Sequence, residues 1–473
     1  MQNLIHKCMM TSRLSLFEKF DCRSMIAMCL LSSIVVYPSN ESLANVRHPA
    51  ANQQGKKGPP PAASTPLSIN KQLITETEAK ELKSREMRKL ETVIRKGKLA
   101  GNEAAIKKWV RLSVYVMTLK KHRDEVRIHA DLKKMMDIVR RAGYQAANEA
   151  DKLPIRKFLC EEIAKRCEDL LDNQLAVRLQ AVTALYQLNI LERDPRSGRK
   201  TAIAYAPAGL ALVKILQDPK QHIGVKLIAV QGMTRISRTG NVSYGMTISL
   251  SRKIGNAVLA ELQKKKTHYK YQVRLAESLG ALRLAYDSRN QPIYVDGLCR
   301  AMIDQKRHPE VRAMAAEALG VAKFSTGISN PQVRALIAHE ILRTTHEIAG
   351  KYNASLKNGV SGTNWKTSFL RLYFAFEGEP FLRKNLGSAG LASRFPNDTR
   401  INAALVAIKP VIRHIVEKGS YFKDKAPQPV PQAMMNALAK VIQDNPPTTD
   451  RLSPGLKPLR NVTASTVDPN DQK

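Results

Sequence analysis

Four stretches of this chain repeat one another, and that repetition limits what it can fold into more than any other feature. VRLQAVTALYQL from Val177, VKLIAVQGMTRI from Val225, YQVRLAESLGAL from Tyr271 and VRAMAAEALGVA from Val311 align Leu185, Met233, Leu279 and Leu319, at steps of 48, 46 and 40 residues. Such steps bracket the two-helix unit of stacked helical repeats. Each block also has an upstream stretch with helical spacing of its apolar residues: Pro154 to Leu171, Pro207 to Gln217, Met246 to Lys266 and Gln291 to Arg307. The pattern therefore predicts antiparallel helical hairpins. Within VRAMAAEALG, Ala315, Ala316 and Ala318 join Val311 and Leu319 to cover most of the helix circumference. One hairpin cannot hide so much apolar surface, so each needs a neighbour on either side.

Composition agrees with this. Of 473 residues 43% are apolar, enough for a large core, and only 5% are aromatic. A strand-rich sandwich draws on β-branched and aromatic residues, and no stretch of four to eight residues shows the alternation of a half-buried strand. The expected class is all-α.

The Val-Arg step followed by Ala-rich positions and Leu-Gly resembles the HEAT repeat, in the short form also seen in bilin-lyase subunits, over about residues 151–325. The resemblance implies an α-solenoid of stacked antiparallel hairpins. It also implies pairing between an Asp of the intra-hairpin turn and the Arg of the second helix. Asp172 with Arg178 matches that pattern, as does Asp304 with Arg312 at longer spacing. Lys226 stands in the Arg position of the second block, and the third shifts Val-Arg by two positions, so a continuous Asp-Arg ladder is not expected.

Around the repeats the chain divides readily. Residues 1–44 read as a secretory signal peptide: Lys7, Arg13, Lys19 and Arg23 precede the apolar run Met25 to Tyr37, and Ser42-Leu43-Ala44 offers small residues to a signal peptidase. A nearly uninterrupted apolar run of thirteen residues is too short to span a bilayer comfortably, so the mature chain is expected to be exported to the periplasm, the cell envelope or the medium without a membrane span. Residues 45–70, with Pro59-Pro60-Pro61, form a linker, and 71–150 a basic helical extension. The solenoid is expected over 151–444, with further helices at Pro331 to Ala354, Thr363 to Glu377, Arg400 to Glu417 and Pro431 to Gln443. The Pro-rich tail 445–473 is expected to be disordered. Trp365, Phe369, Leu372, Tyr373 and Phe376 recur at helical spacing and read as core.

Catalytic chemistry is not apparent. His339 and His346, like His122 and His129, are seven apart, which puts about 10 Å of helix rise between them, too far for a chelating pair at i and i+4. No H-E-x-x-H, P-loop, dinucleotide fingerprint or nucleophile elbow occurs. Neither cofactor nor metal is expected. Cys160, Cys167 and Cys299 survive removal of the signal and read as buried thiols rather than a disulfide framework.

Net charge is then the main functional signal. It is +35, and falls only to +34 once residues 1–44 are removed. The surface of the second helices, Gln180, Thr183, Gln187, Gln231, Arg235, Arg274, Glu277 and Glu317, is mixed in sign. Basic residues instead recur in the intra-hairpin turns: Lys220, then Lys264, Lys265 and Lys266, then Lys306 and Arg307. Stacking would line them along one edge. The reading is an exported, non-enzymatic scaffold whose partner is a protein, an anionic polymer or an anionic surface. Nucleic acid suits the charge equally but is less expected outside the cytoplasm. An accessory or lyase-like enzymatic role, the alternative that the resemblance carries, would need a pocket with convergent polar groups.

Overall fold

A computed structural model describes residues 71–122, 125–146, 149–194, 198–199, 201–324, 331–358, 363–380, 389–418 and 426–460. They belong to one compact unit that begins at Pro66. The expected signal peptide and linker lie outside the described residues.

Those residues are mostly helical, as the spacing predicts. The chain enters through α1 (Glu76–Glu81) and α2 (Arg85–Lys96), then α3 (Glu103–Tyr115) and α4 (Glu125–Arg140). Local chemistry sets the first boundaries. Thr75 and Glu78 form a reciprocal capping box on α1, Ser84 caps α2, and Gly97 closes α2 in the left-handed region at φ 77°. The repeats follow as pairs: α5 (Glu149–Glu168) with α6 (Leu175–Gln187), α7 (Ala208–Gln217) with α8 (Ile223–Thr239), α9 (Ile248–Gln263) with α10 (Tyr269–Leu282), and α11 (Ile293–Ile303) with α12 (Pro309–Val321). Beyond them lie α13 (Pro331–Lys357), α14 (Trp365–Glu377), the short α15 (Leu391–Arg394), α16 (Thr399–Lys418) and α17 (Gln432–Asp444).

Packing partners follow the repeat order. Second helices contact second helices, α6 on α8, α8 on α10, α10 on α12 and α12 on α14, while α7, α9, α11 and α13 contact one another in the same succession. Leu185, Met233, Leu279 and Leu319 are all buried, at equivalent points of α6, α8, α10 and α12. The succession also reaches further back than expected, since α3 packs on α5 and α4 on α6. Part of the expected extension thus continues the same order. In α14, Phe369, Leu372, Tyr373 and Phe376 are buried, as their spacing implies.

Buried polar side chains tie turns to their neighbours, but not through the Asp-Arg pairs that the resemblance implies. Arg178 donates to Gln221 of the next turn at 3.1 Å, and Gln221 donates back to the Leu171 carbonyl at 2.7 Å. Arg307 likewise donates to Gln272 at 2.8 Å and to the Leu262 carbonyl at 2.9 Å. Arg312, fully buried, donates to the Met302 carbonyl and to Glu347, while Asp304 pairs with Lys265 and Arg307. The expected partnerships of Asp172 with Arg178 and of Asp304 with Arg312 are corrected accordingly.

Two other expectations change. Strands do occur: β1 (Asn189–Leu191) pairs antiparallel with β2 (Ile203–Ala204) between α6 and α7. Three and two residues are too short to register as alternation, and much of their support is polar, Arg156 donating to the carbonyls of Asn189 and Ile190. The hairpin interrupts none of the aligned helices. Residues 445–460 of the Pro-rich tail are placed against the helices, burying Leu452 and Leu459. Arg460 donates to Glu340 at 2.7 Å and Glu347 at 3.0 Å. Closely spaced prolines disfavour a helix there, not an extended segment held by apolar and charged anchors.

Candidate functional site

The turns inside three successive hairpins share one local design. Asp218-Pro219-Lys220-Gln221-His222 leads into α8, Lys264-Lys265-Lys266-Thr267-His268 into α10, and Asp304-Gln305-Lys306-Arg307-His308 into α12. Asp218 accepts from the Lys220 N–H at 2.8 Å and Asp304 from the Lys306 N–H at 3.1 Å, the same Asx-turn in two repeats. A histidine then caps each second helix. Its Nδ1 accepts the backbone N–H two residues on, at 3.0 Å for His222 and Gly224, 3.2 Å for His268 and Lys270, and 3.3 Å for His308 and Glu310. To accept there, each imidazole must be neutral with its proton on Nε2.

Equivalence within this five-residue frame sorts the expected site residues. Lys220, Lys266 and Lys306 each stand two before the histidine, and all three are exposed. At the next position Gln221 and Arg307 are buried, while Thr267 is half-buried and donates to the Lys264 carbonyl of its own turn at 3.2 Å. Arg307 therefore belongs to the ladder described above and is withdrawn from the basic edge. Lys264 and Lys265 are exposed but engaged, the first with Glu261 and the second with Asp304 at 2.9 Å.

The edge is not uniform in sign. Lys220 borders an open depression that Glu168, Asp169, Asp172 and Asp218 also line. Going along the chain, the lysine position is held by Asp172, then Lys220, Lys266 and Lys306, so the edge passes from acidic to basic. Lys351 of α13 adds to the basic end, its Nζ donating to the Gln305 carbonyl at 2.6 Å.

The histidine caps are the feature that reading the lysines alone missed. Tyr269 packs between two of them, stacked on His308 with centroids 3.9 Å apart and tilted against His268 at 4.8 Å. The Thr363 hydroxyl lies 3.2 Å from His308 Nε2. Burial pushes the His222 pKa down, helped by Arg178, and pushes that of His308 down against the pull of Glu310. Both are thereby favoured in the neutral, capping form. The residues His222, His268 and His308 sit at one alignment position, which was a usable sequence signal.

Metal ligation has no geometric support: among the described residues no three of His, Cys, Asp and Glu converge as a ligand set. Nor, among these residues, is any helix long and apolar enough to cross a membrane. Cys160, Cys167 and Cys299 are buried thiols.

No protein-family model matches the chain. No curated protein matches it either. Among solved structures, the crystal structure of an engineered protein is similar over 78% of this chain and 98% of its own, at 15% identity and a TM-score of 0.27, a likeness too low to compare the folds.

Proposed function

We propose that this chain is an exported, non-enzymatic interaction scaffold, an α-solenoid of HEAT-like hairpins that offers its basic turn edge to an anionic partner. One observation carries the reading: Lys220, Lys266 and Lys306 occupy the same frame position in successive hairpins and are exposed each time. Helix layers repeat about every 10 Å, close to the Debye length of about 8 Å at physiological salt, so charges in adjacent turns reinforce one another's potential. The lysines also stand beside the starts of α8, α10 and α12, where the helix dipole favours anions. Export rests on residues 1–44 alone, and an intact mass beginning at Asn45 in the secreted fraction would support it. An unprocessed chain in the cytoplasm would favour a nucleic acid as the anion.

Heparin chromatography tests the edge. Replacing Lys264, Lys265 and Lys266 together by Ser is expected to lower the salt needed for elution. The control replaces Lys98, Lys133 and Lys357, exposed residues outside the three turns. Equal losses from both triple variants would show that net charge alone is being read, and that these lysines serve the C-terminal poles of the preceding helices.

A further inference from the structure

The N-terminal helices form a cleft that the basic turn edge does not share. Lined by α1, α3 and α4 among others, it measures about 140 Å³. Trp109, Val116 and Met135 are buried in its wall, and Leu82 and Ile138 add apolar surface. Trp109 and Ser113 stand one turn apart on α3, which sets both on the same side of that helix, toward the cleft they line. His122 ends the short 3-10 turn Lys120–His122, and its Nδ1 lies 2.7 Å from the Asp131 carboxylate of α4. Both residues also line the cleft.

Two polar groups of this wall have nothing to bond to. Elsewhere in the fold Thr183, Ser237 and Thr345 donate back to the carbonyl four residues earlier, at 2.7, 2.7 and 2.8 Å. Ser113, only 7% exposed, makes no such bond. Neither its hydroxyl nor the indole N–H of Trp109, a residue 1% exposed, meets a hydrogen-bond partner among the described residues. Neither atom is sealed off by protein either, so the little surface these two residues keep opens on the cleft. Buried donors are rarely left unpaired. The His122 imidazole presents a third group. Asp131 accepts from Nδ1, which fixes the proton there and leaves Nε2 of the neutral ring as an acceptor.

We propose that this cleft binds a small hydroxylated aromatic molecule of the phenol class. An apolar cavity of about 150 Å³ takes up one benzene ring, so the volume here suits a single ring. Leu82, Val116 and Ile138 give that ring its apolar walls, and the Met135 thioether suits its edge. A phenolic hydroxyl matches the polar groups: its proton goes to His122 Nε2, and its oxygen accepts from Ser113 Oγ and Trp109 Nε1. Water would satisfy those groups but gain nothing from the apolar walls. Charge is not what the cleft recognises. Lys80, Lys83, Lys121 and Lys134 of its lining are all exposed, Lys121 is paired with Glu76, and Glu91 and Asp131 line the cleft with them.

Tryptophan fluorescence tests this, because the chain has two tryptophans and W365F leaves Trp109 as the single reporter. Excited at the red edge, where phenol does not absorb, the W365F protein titrated with phenol is expected to show a saturable change. Toluene, with a methyl group in place of the hydroxyl, controls for burial of the ring alone. In the same background S113A and H122A should each weaken phenol binding about fivefold, the worth of one hydrogen bond, and leave toluene binding where it was. S113A removes a single oxygen, so it carries the test if H122A does not fold. No saturable change with phenol, unchanged phenol affinity in these variants, or equal losses for phenol and toluene would overturn the proposal. So would benzoate binding more tightly than phenol, which would show the exposed lysines receiving an anion. All these variants leave Lys264, Lys265 and Lys266 in place, so the outcome is separate from that of the heparin experiment.

Discussion

Replacing Glu317 by Gln should stabilise the protein at alkaline pH and leave it little changed in acid. The Glu317 side chain is only 13% exposed. Its carboxyl titrates near 7 in the fold because burial penalises the charged form, against an ordinary value of 4.5. Between those two values the folded chain binds more protons than the unfolded chain, so stability falls as pH rises through the window. Above pH 7 the full penalty is present, on the order of 3 kcal/mol. Gln keeps the shape and the polar atoms of the neutral acid without ionising. It gives up whatever the 3.6 Å approach to Arg371 contributes, so the expected gain at pH 8 is about 1 to 3 kcal/mol. Urea unfolding followed by far-UV circular dichroism, at pH 5 and pH 8, separates the cases through the midpoint at constant m-value. A variant less stable than the parent at pH 8 would refute the reasoning, since it would mean that an ionised Glu317 is held favourably by Arg371.

Two further outcomes are expected. Stability should fall as pH drops below about 6.5, because folded His222 and His308 resist protonation while the unfolded chain accepts it, and each lost cap is worth about 1 kcal/mol. Asn is a good N-cap that does not titrate, as Asn364 shows by accepting the Thr367 N–H at 3.1 Å. The triple variant H222N/H268N/H308N should therefore flatten the acid limb of a melting-temperature profile, and parallel profiles would contradict it. Leu319→Ala should cost about 2 to 5 kcal/mol in denaturant unfolding, as large-to-small changes in packed cores do. A cost under 1 kcal/mol would place Leu319 outside the stacked core.

What could be read from the sequence, and what could not, divides by the kind of physical information each feature needs. Hairpin spacing was legible because burial imposes one apolar position per repeat, and Leu185, Met233, Leu279 and Leu319 all obey it. The side to which a turn residue points was not, because it depends on frame position and not on residue type. Arg307 looks like its neighbour Lys306 in composition, yet it shares its position with buried Gln221 and makes the same inward bond to a preceding carbonyl. The ladder was hidden for a related reason. Gln221, Gln272, Arg307 and Arg312 differ chemically but answer one demand, the satisfaction of buried polar groups between layers. Several residue types can meet that demand, so no single motif marks it. Only the outward position is free of it. There the sign of charge varies without cost to packing, from Asp172 to Lys220, Lys266 and Lys306, and recognition by this edge would be written at those positions.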